Sequence, residues 1–244
     1  MQEAAVTADQ REARFGLKRP HPVRRLLELR ALLEAALLVP SAPVLAAQQR
    51  GDGRQVMTLP GFLGDDGVMW PLRRYLNYLG YEALPWNIGR NYGRPEQDAE
   101  RIIGELNNVR RPDEPITLIG WSLGGVIARE VARRAPEAVR EVITLGTPVE
   151  GGPKYTTTAK HFARRQKIDL DQLEQHIHEL NLHRIECPLT IFYSRSDAIV
   201  DWRAAIDRYN PQARHHRVAG SHMGLVVSPF VWRQLARTLS QETA

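Results

Sequence analysis

A single serine lies among glycines where a strand-like pattern changes to a helical one. Residues 118–131 read LIGWSLGGVIAREV, so Ser122 follows an apolar run typical of a strand and precedes apolar residues at helical spacing. Gly120 and Gly124 allow the strand and the helix to pass close together, because neither carries a side chain. A Gly-x-Ser-x-Gly pattern in this context predicts a tight turn that presents the hydroxyl as a nucleophile. The alternative is a turn with a purely structural role.

Two further side chains match the needs of such a nucleophile. A serine hydroxyl reacts well only when a base takes its proton and a carboxylate orients that base. Asp197 follows the predicted fifth strand in FYSRSDAIVD, and His222 follows the predicted sixth in VAGSHMGLV. Both positions lie at the sheet edge that carries ligands in open α/β sheets. The order serine, acid, histidine therefore predicts a catalytic triad, with Asp201 as the alternative acid, unless it caps a helix beginning at Trp202.

Acyl transfer also needs two hydrogen-bond donors for the oxyanion of its tetrahedral intermediate. The backbone N–H of Leu123 is the first candidate, since the predicted helix begins there. The N–H of Phe62 is the second, because the Pro-Gly pair before it turns the chain sharply after the first predicted strand. A plain glycine-rich turn is the alternative at this second position.

Other side chains near these strand ends are candidates for supporting roles. In the turn GRNYG, Arg90 or Asn91 is expected to brace the loop that contains Phe62. Apolar residues close to the predicted centre are expected to line an acyl pocket, although each is equally suited to the core or the rim. These residues are Leu63, Trp86, Trp121 and Met223.

The elements that must position this site follow from the pattern of the whole chain. From residue 51 to 244, short apolar runs alternate with helical segments, which predicts an α/β domain with a mostly parallel sheet of about six strands flanked by helices. The interval 149–187 is too long for an ordinary connection and predicts a small helical cap insertion. Residues 1–50 form an N-terminal extension with an amphipathic helix, because leucines recur at helical spacing within 23–39.

The amphipathic helix is expected to pack on the sheet of its own domain. Peripheral contact with a membrane or a partner through residues 23–39 is the alternative. This stretch is too short and too charged to cross a bilayer. Charged residues recur through the first thirty positions, so a secretory signal peptide is not expected.

Composition excludes several classes of function. The net charge is +5, but the basic residues are interleaved with acidic ones, which argues against dedicated nucleic-acid binding. The single cysteine, Cys187, excludes an internal disulfide and is typical of a reducing compartment such as the cytoplasm, with a buried thiol. Two histidine pairs, His176 with His178 and His215 with His216, do not share a helix or strand face, so no metal site is predicted.

Several short motifs, PGFLG, GWSLGG, LGTP, SRSDAIVDW and GSHMGL, together resemble those of the α/β-hydrolase superfamily, on its lipase and esterase side. The resemblance covers residues 51–244. It implies a serine hydrolase that cleaves carboxylic esters or lipids, with Ser122, Asp197 and His222 as the triad and no metal or cofactor.

Two departures from the family pattern stand out. Many relatives carry His-Gly where this chain has Pro-Gly, and the usual antiparallel opening strands are replaced by the N-terminal helix. Three alternatives stay open: acyl transfer to an acceptor other than water, thioester cleavage, and a non-catalytic binding protein of the same fold. The acyl length, the alcohol moiety and the oligomeric state are left undetermined.

Overall fold

Six parallel strands form one sheet in the order β2-β1-β3-β4-β5-β6. The computed structural model describes residues 8–241, with side chains from residue 10 onwards. The strands are β1 Gln55–Leu59, β2 Glu82–Leu84, β3 Ile116–Trp121, β4 Val139–Leu145, β5 Leu189–Tyr193 and β6 Arg214–Arg217. The structure thus confirms the predicted parallel sheet.

Helices cover both faces of this sheet. The α-helices are α1 Ala8–Phe15, α2 Ala31–Ala36, α3 Leu38–Ala46, α4 Asp66–Leu79, α5 Pro95–Val109, α6 Leu123–Arg134, α7 Ala159–Gln166, α8 Leu170–Leu182 and α9 Pro229–Gln241. Short 3₁₀ helices are Pro22–Arg30, Pro136–Ala138, Gly152–Tyr155 and Met223–Val226. Strands β1 and β3 are buried along their whole length, because helices pack on each side of the sheet.

Two apolar clusters form the core, one on each face of the sheet. One combines side chains of α4 and α9 with alternate residues of the central strands. The other combines α5 and α6 with the intervening strand residues and includes the buried Cys187, as expected for this thiol. Helix α4 begins at the N-cap Asp65, whose carboxylate accepts from the Gly67 N–H, and ends at Gly80 in the left-handed conformation, with φ 97°.

The segment between β4 and β5 consists of a 3₁₀ turn followed by α7 and α8. Glu174 anchors α8 from inside, because its buried carboxylate accepts from Lys154 at 2.6 Å and from the Tyr155 hydroxyl at 3.0 Å. At the other end of α8, the Asn181 amide donates to the Val149 carbonyl at 3.0 Å. These buried polar contacts hold the insertion together, and the Arg129 guanidinium of α6, which donates to the Asn181 side-chain oxygen at 3.3 Å, ties it to the domain.

The stretch 23–39 of the N-terminal extension turns its polar face to the protein and its apolar face to solvent, the reverse of the prediction. Its leucines point into solvent, with Leu32 73% and Leu33 71% exposed, so the expectation that they pack on the sheet is wrong. Within the described part of the extension, two leucines are buried. Leu45 of α3 joins the main core, and its carbonyl accepts from the Tyr75 hydroxyl, while Leu17 packs in a small cluster with Tyr155 and Val200. The physical reason is that the charged residues of this extension have hydrogen-bond partners on the protein, which hold its polar side inwards.

Asp201 also has a different role from the one predicted. No helix begins at Trp202, where the chain forms turns instead. The Asp201 carboxylate accepts from the Lys18 backbone N–H at 2.8 Å and from the Arg203 N–H at 3.2 Å. It therefore fastens the N-terminal extension to the loop after β5.

Candidate active site

The turn between β3 and α6 holds Ser122 in a strained conformation. Its φ of 53° and ψ of −121° lie in a region that residues other than glycine rarely adopt. Hydrogen bonds to neighbouring strands compensate for the strain. The Ser122 N–H donates to the Leu145 carbonyl at 2.8 Å, and the Thr147 hydroxyl donates to the Ser122 carbonyl at 2.9 Å.

Two glycines permit the close approach that this turn requires. A Cβ added to Gly120 would lie 2.4 Å from the Gly125 Cα. A Cβ added to Gly124 would lie 2.2 Å from the Leu59 carbonyl oxygen in β1. The strand and helix therefore meet at van der Waals distance only because both side chains are missing, as the sequence predicts.

Asp197 and His222 form a buried hydrogen-bonded pair. The Asp197 Oδ2 lies 2.7 Å from the His222 Nδ1, and the two residues are 5% and 3% exposed. The other carboxylate oxygen, Oδ1, accepts from the Ile199 and Val200 N–H groups at 2.8 Å each. This arrangement fixes the imidazole and leaves its Nε2 as the atom that can exchange a proton with another group.

The environment of His222 raises its pKa above the ordinary value. Burial of the ring acts to lower the pKa, because it disfavours the charged form. The charge and hydrogen bond of Asp197 act the other way, and the Glu28 carboxylate adds to them, so the net shift is upwards. The site thus stabilises the imidazolium that a general base forms when it accepts a proton.

Trp121 and Gly146 bring the pair next to the serine. The Trp121 indole N–H donates to the His222 carbonyl at 3.1 Å, and the two rings lie 5.4 Å apart. Gly146 follows Leu145, the acceptor of the Ser122 N–H, and a Cβ on it would lie 3.1 Å from the His222 Nδ1 and 3.2 Å from the Asp197 Oδ2. The three predicted triad residues therefore meet at the same end of β3 and β4.

The last contact of such a triad is not formed in this structure. The Ser122 hydroxyl makes no hydrogen bond to the His222 ring. Catalytic hydrogen bonds are often long without substrate and tighten in the complex. The pairing of these two side chains stays a prediction.

Asn91 braces the loop that contains the predicted oxyanion donor. Its fully buried amide donates to the Pro60 carbonyl at 2.9 Å. Its backbone N–H donates to the Gly64 carbonyl at 2.9 Å, and its own carbonyl accepts from the Leu63 N–H at 2.7 Å. Arg90, the other candidate, instead forms an exposed ion pair with Asp65.

The two predicted oxyanion donors flank the serine. Gly61, one residue before Phe62, lies so close that a Cβ on it would be 3.1 Å from the Ser122 Cβ. Leu123 is the first residue of α6, where backbone N–H groups have no partner within the helix. Neither the Phe62 nor the Leu123 N–H has a hydrogen-bond acceptor among the described residues. Both donors are thus available to a ligand.

An apolar pocket of about 290 Å³ opens beside this site, between the helical insertion and the body of the domain. Leu123 contributes to one wall, and Phe162 of α7 to the other. The Phe162 ring packs edge-on against Phe62, with 5.2 Å between the ring centres, so the pocket begins at the oxyanion loop. Its other apolar lining residues include Val126, Val149, Pro153, Ile168, Leu173, Ile177 and Leu180.

The four residues predicted for an acyl pocket lie elsewhere. Trp86 is a core residue, fully buried with its indole N–H donating to the Gly89 carbonyl, so its prediction as a pocket residue is wrong. Trp121 is also buried and contacts His222 instead. Leu63 and Met223 are 38% and 40% exposed near the catalytic loops but do not line this pocket. The lining residues were missed because many of them come from a helical insertion whose fold the sequence pattern leaves open, and most of the others lie on the parts of α5 and α6 that face it.

The histidines of one predicted pair, His176 and His178, bond other side chains. His176 bonds Glu96 at 2.7 Å, and His178 bonds the Tyr209 hydroxyl at 2.8 Å. Within residues 10–241, no group of three or more histidine, cysteine or acidic side chains is arranged to hold a metal ion.

Comparisons with known proteins agree with this geometry. Residues 93–186 match the thioesterase domain family. The human serine hydrolase BPHL is 23% identical over 222 residues, which cover 73% of this chain and 74% of that protein. The pimeloyl-[acyl-carrier protein] methyl ester esterase of Photobacterium profundum is 29% identical over 106 residues, 42% of this chain and 41% of that protein.

A solved structure extends the likeness to the fold. The mouse α/β hydrolase domain-containing protein 10 superposes with a TM-score of 0.58 over 80% of this chain and 91% of that chain, at 18% identity. The parallel sheet, the serine turn and these likenesses lead to one conclusion: the chain has the α/β-hydrolase fold and is similar in sequence to esterases and thioesterases.

Proposed function

We propose that this protein is a carboxylester hydrolase that works through an acyl-enzyme on Ser122, with His222 as general base and Asp197 as its orienting carboxylate. The observation that carries the proposal is the buried Asp197–His222 hydrogen bond of 2.7 Å beside a strained serine turn. Strain and buried charge are costly, and functional sites are where folded proteins retain both.

The proposed reaction has two halves. The Ser122 Oγ attacks the ester carbonyl carbon while the His222 Nε2 accepts the hydroxyl proton, and the Phe62 and Leu123 N–H groups donate to the oxyanion. The intermediate collapses, and His222 returns its proton to the leaving alcohol. Water then attacks the acyl-enzyme by the same steps and releases the carboxylic acid.

The apolar pocket supports a substrate with an aliphatic acyl chain. Leucine, isoleucine, valine and phenylalanine side chains form much of its lining, and charged residues such as Arg94, Glu96 and Arg129 line the rest. Leu123, one proposed oxyanion donor, lines the pocket, and Phe62, the other, packs against Phe162 of its wall. An acyl chain bound there would place its carbonyl next to Ser122. Lipid esters are one class that fits this description.

Thioesters are the second candidate substrate class, favoured by the match of residues 93–186 to thioesterase domains. The same triad cleaves both linkages, because the acyl-enzyme is identical after the first half-reaction. The same three residues could also transfer the acyl group from Ser122 to an acceptor other than water, and this reaction is part of the proposal.

The test is turnover of p-nitrophenyl esters from acetate to palmitate, alongside acyl-coenzyme A thioesters of the same acyl chains. We expect ester hydrolysis with a preference for intermediate chains, and loss of all turnover in Ser122→Ala. Ser240→Ala, at a partly exposed serine on α9, is the matched control and should have the activity of the wild type. Activity retained by Ser122→Ala would refute the proposed nucleophile, and faster thioester than ester cleavage would favour the second substrate class.

A further inference from the structure

We define the N-terminal arm as residues 22–46. It is an amphipathic segment whose apolar face points to solvent, whereas the apolar face of a core helix would point to the protein interior. Its large apolar side chains are exposed to solvent over the length of the arm. They are Val23, Leu26, Leu27, Leu29, Leu32, Leu33, Leu37, Val39 and Val44. So many exposed large apolar side chains within one short segment are uncommon on a folded domain and mark a site of interaction.

Hydrogen bonds from the polar side of the arm hold this orientation. Glu34 accepts from the Ser221 N–H at 2.9 Å and from its hydroxyl at 2.8 Å. Arg30 donates to the Ser196 and Gly220 carbonyls, and Arg25 donates to the Thr157 carbonyl. The leucines cannot turn inwards unless these contacts break.

The exposed charged residues around the apolar surface are basic. Between residues 18 and 50 the only acidic residues are Glu28 and Glu34, and both are used in contacts with the loops after β5 and β6. The exposed charges of this stretch are basic: Lys18, Arg19, Arg24, Arg25 and Arg50. This surface is therefore complementary to an anionic partner.

Aromatic residues extend the same surface beyond the arm. A groove between α3 and α4 is lined by residues of both helices, including Trp70 and Tyr78, which are largely exposed. Arg74 and Arg50 lie over these two rings, at 5.7 Å and 4.9 Å from their centres. Tryptophan and tyrosine beside basic residues are typical of the membrane–water interface.

We propose that the N-terminal arm docks the protein on an anionic phospholipid surface, with its leucines among the acyl chains and its basic residues at the phosphates. A second copy of the chain fits less well, because its identical basic rim would repel this one. No single helix of the described residues is long and apolar enough to span a bilayer, and Pro22–Ala36 passes that test only when joined to Leu38–Ala46 across a 52° bend. Because the arm is hydrogen-bonded to the loops after β5 and β6, we expect it to lie along the membrane surface and not to cross the bilayer.

The experiment is co-sedimentation of the full chain with vesicles of phosphatidylcholine alone or mixed with phosphatidylglycerol. We expect binding to the mixed vesicles that falls as salt rises, because each basic residue near an anionic surface contributes about a fivefold change in affinity. The triple variant Leu29→Gln, Leu32→Gln, Leu33→Gln should lose at least about tenfold in affinity. The double variant Lys18→Gln, Arg24→Gln should lose the preference for phosphatidylglycerol.

Exposed apolar residues on other faces provide the matched control. Leu182→Gln and Phe230→Gln remove comparable side chains and should bind vesicles as the wild type does. Failure of the wild type to bind mixed vesicles would overturn the proposal, as would equal losses in the control. A dimer that forms in the absence of lipid and is abolished by the triple variant would also overturn it, because the leucines would then be covered by a second copy.

A second inference rests on different contacts, those of Glu28. Its Oε1 accepts from the Ala198 N–H at 3.0 Å and the His222 N–H at 3.1 Å, and its Oε2 accepts from the Met223 N–H at 2.8 Å. We infer that Glu28 is a positioning residue that holds the acid loop and the histidine loop in register. The inference rests on the proposed roles of Asp197 and His222.

The test of Glu28 is the pH dependence of kcat/KM for a short soluble ester in Glu28→Gln. Charged groups near His222 are Asp197 and Glu28, together with Glu34 and Arg30, which bond the two preceding residues. Glu28 adds negative charge that raises the His222 pKa, so its removal should move the acid limb to lower pH. We also expect kcat to fall severalfold with KM unchanged, since the amide offers one acceptor instead of two.

A variant with the charge retained distinguishes positioning from a structural effect. Glu28→Asp keeps the charge on a shorter side chain and should keep the acid limb close to that of the wild type. An unchanged acid limb and kcat in Glu28→Gln would overturn the inference while leaving the Ser122 dependence of turnover intact. Turnover that survives in Ser122→Ala would instead refute the proposed function.

Discussion

At the residue scale, the site depends on how Asp197 and His222 share a buried environment. Burial alone would lower the His222 pKa, and the carboxylate reverses that effect. The imidazolium is therefore stabilised where it forms, and the fixed Nδ1 contact leaves Nε2 for the serine. This combination of orientation and charge is what the proposed chemistry requires.

The raised pKa predicts the pH dependence of turnover. The proposed base acts only when neutral, so kcat/KM should rise with pH through a midpoint above the ordinary histidine value of about 6.5. Asp197→Asn removes the group that raises the pKa, so the midpoint should move below that value, with kcat lower by about 10³–10⁴-fold. Steady-state kinetics between pH 5 and pH 9 measure both, and an acid limb unmoved by Asp197→Asn would contradict this account of the pair.

The brace at Asn91 gives a second prediction at this scale. Asn91→Ala removes the donor to the Pro60 carbonyl and the side chain that accepts from the Gly93 N–H at 3.0 Å. We expect the free energy of unfolding to fall by about 1–3 kcal/mol, because buried polar groups lose their hydrogen-bond partners. kcat should also fall as the proposed oxyanion donor loosens. Arg90→Ala, which removes only an exposed ion pair, is the control and should change neither quantity measurably.

At the scale of elements, the sequence predicts most of what positions the serine. The glycines at 120 and 124 indicate the crossing of strand and helix, since that crossing leaves no room for a side chain. The strand ends that carry Asp197 and His222 follow from the same alternation of patterns. The internal structure of the insertion was not predictable, because polar contacts such as those of Glu174 fix it.

The crossing itself can be tested by adding one methyl group. Gly124→Ala would place its Cβ 2.2 Å from a backbone oxygen of β1, so the helix or the strand must move. We expect destabilisation of at least about 1–3 kcal/mol and loss of activity. Gly104→Ala, in the exposed interior of α5 with no atom within 4 Å of the added Cβ, should instead stabilise the protein by about 0.5–1 kcal/mol. Thermal melts measure the stability of both variants. Equal changes of melting temperature in Gly124→Ala and Gly104→Ala would contradict the close packing at Gly124.

The wall contributed by α7 predicts acyl-chain preference. Phe162→Ala enlarges the pocket where it meets the oxyanion loop. The ratio of kcat/KM for long acyl chains to kcat/KM for short ones should therefore increase. Each further methylene buried is worth about 0.8 kcal/mol, or about fourfold in kcat/KM. The ester series measured with Phe230→Ala, an exposed phenylalanine elsewhere, is the control. An unshifted chain-length profile would show that the acyl group binds in another place.

At the scale of the whole molecule, the arm shows where a sequence pattern misleads. Leucines at helical spacing indicate an apolar face but not the surface that this face contacts. Here the partners of the opposite face lie far along the chain, at Ala198 and Ser221, and are mostly backbone N–H groups, which carry no sequence signal. The surface that the leucines contact was therefore predicted wrongly. The stretch predicted as one amphipathic helix is helical but divided into the 3₁₀ helix Pro22–Arg30, α2 and the start of α3.

The same contacts predict the effect of deleting the first 36 residues, which include α1 and the first part of the arm. Deletion of residues 1–36 keeps α3 and its buried Leu45 but removes Glu28 and Glu34 from the catalytic loops. We expect a folded protein with a lower melting temperature and a loss of kcat. The catalytic loops lose their anchors and the small cluster around Leu17 is opened, while the two main clusters on the sheet stay covered. Full activity after this deletion would contradict the anchoring role of the arm.

The central claim is that Ser122 is a nucleophile activated by the Asp197–His222 pair. Labelling with a fluorophosphonate, followed by mass spectrometry of the tryptic peptides, tests it most directly. The account predicts one adduct on Ser122 in the wild type, none in Ser122→Ala, and much slower labelling in Asp197→Asn. An unlabelled wild type, or an adduct on a different serine, would contradict it.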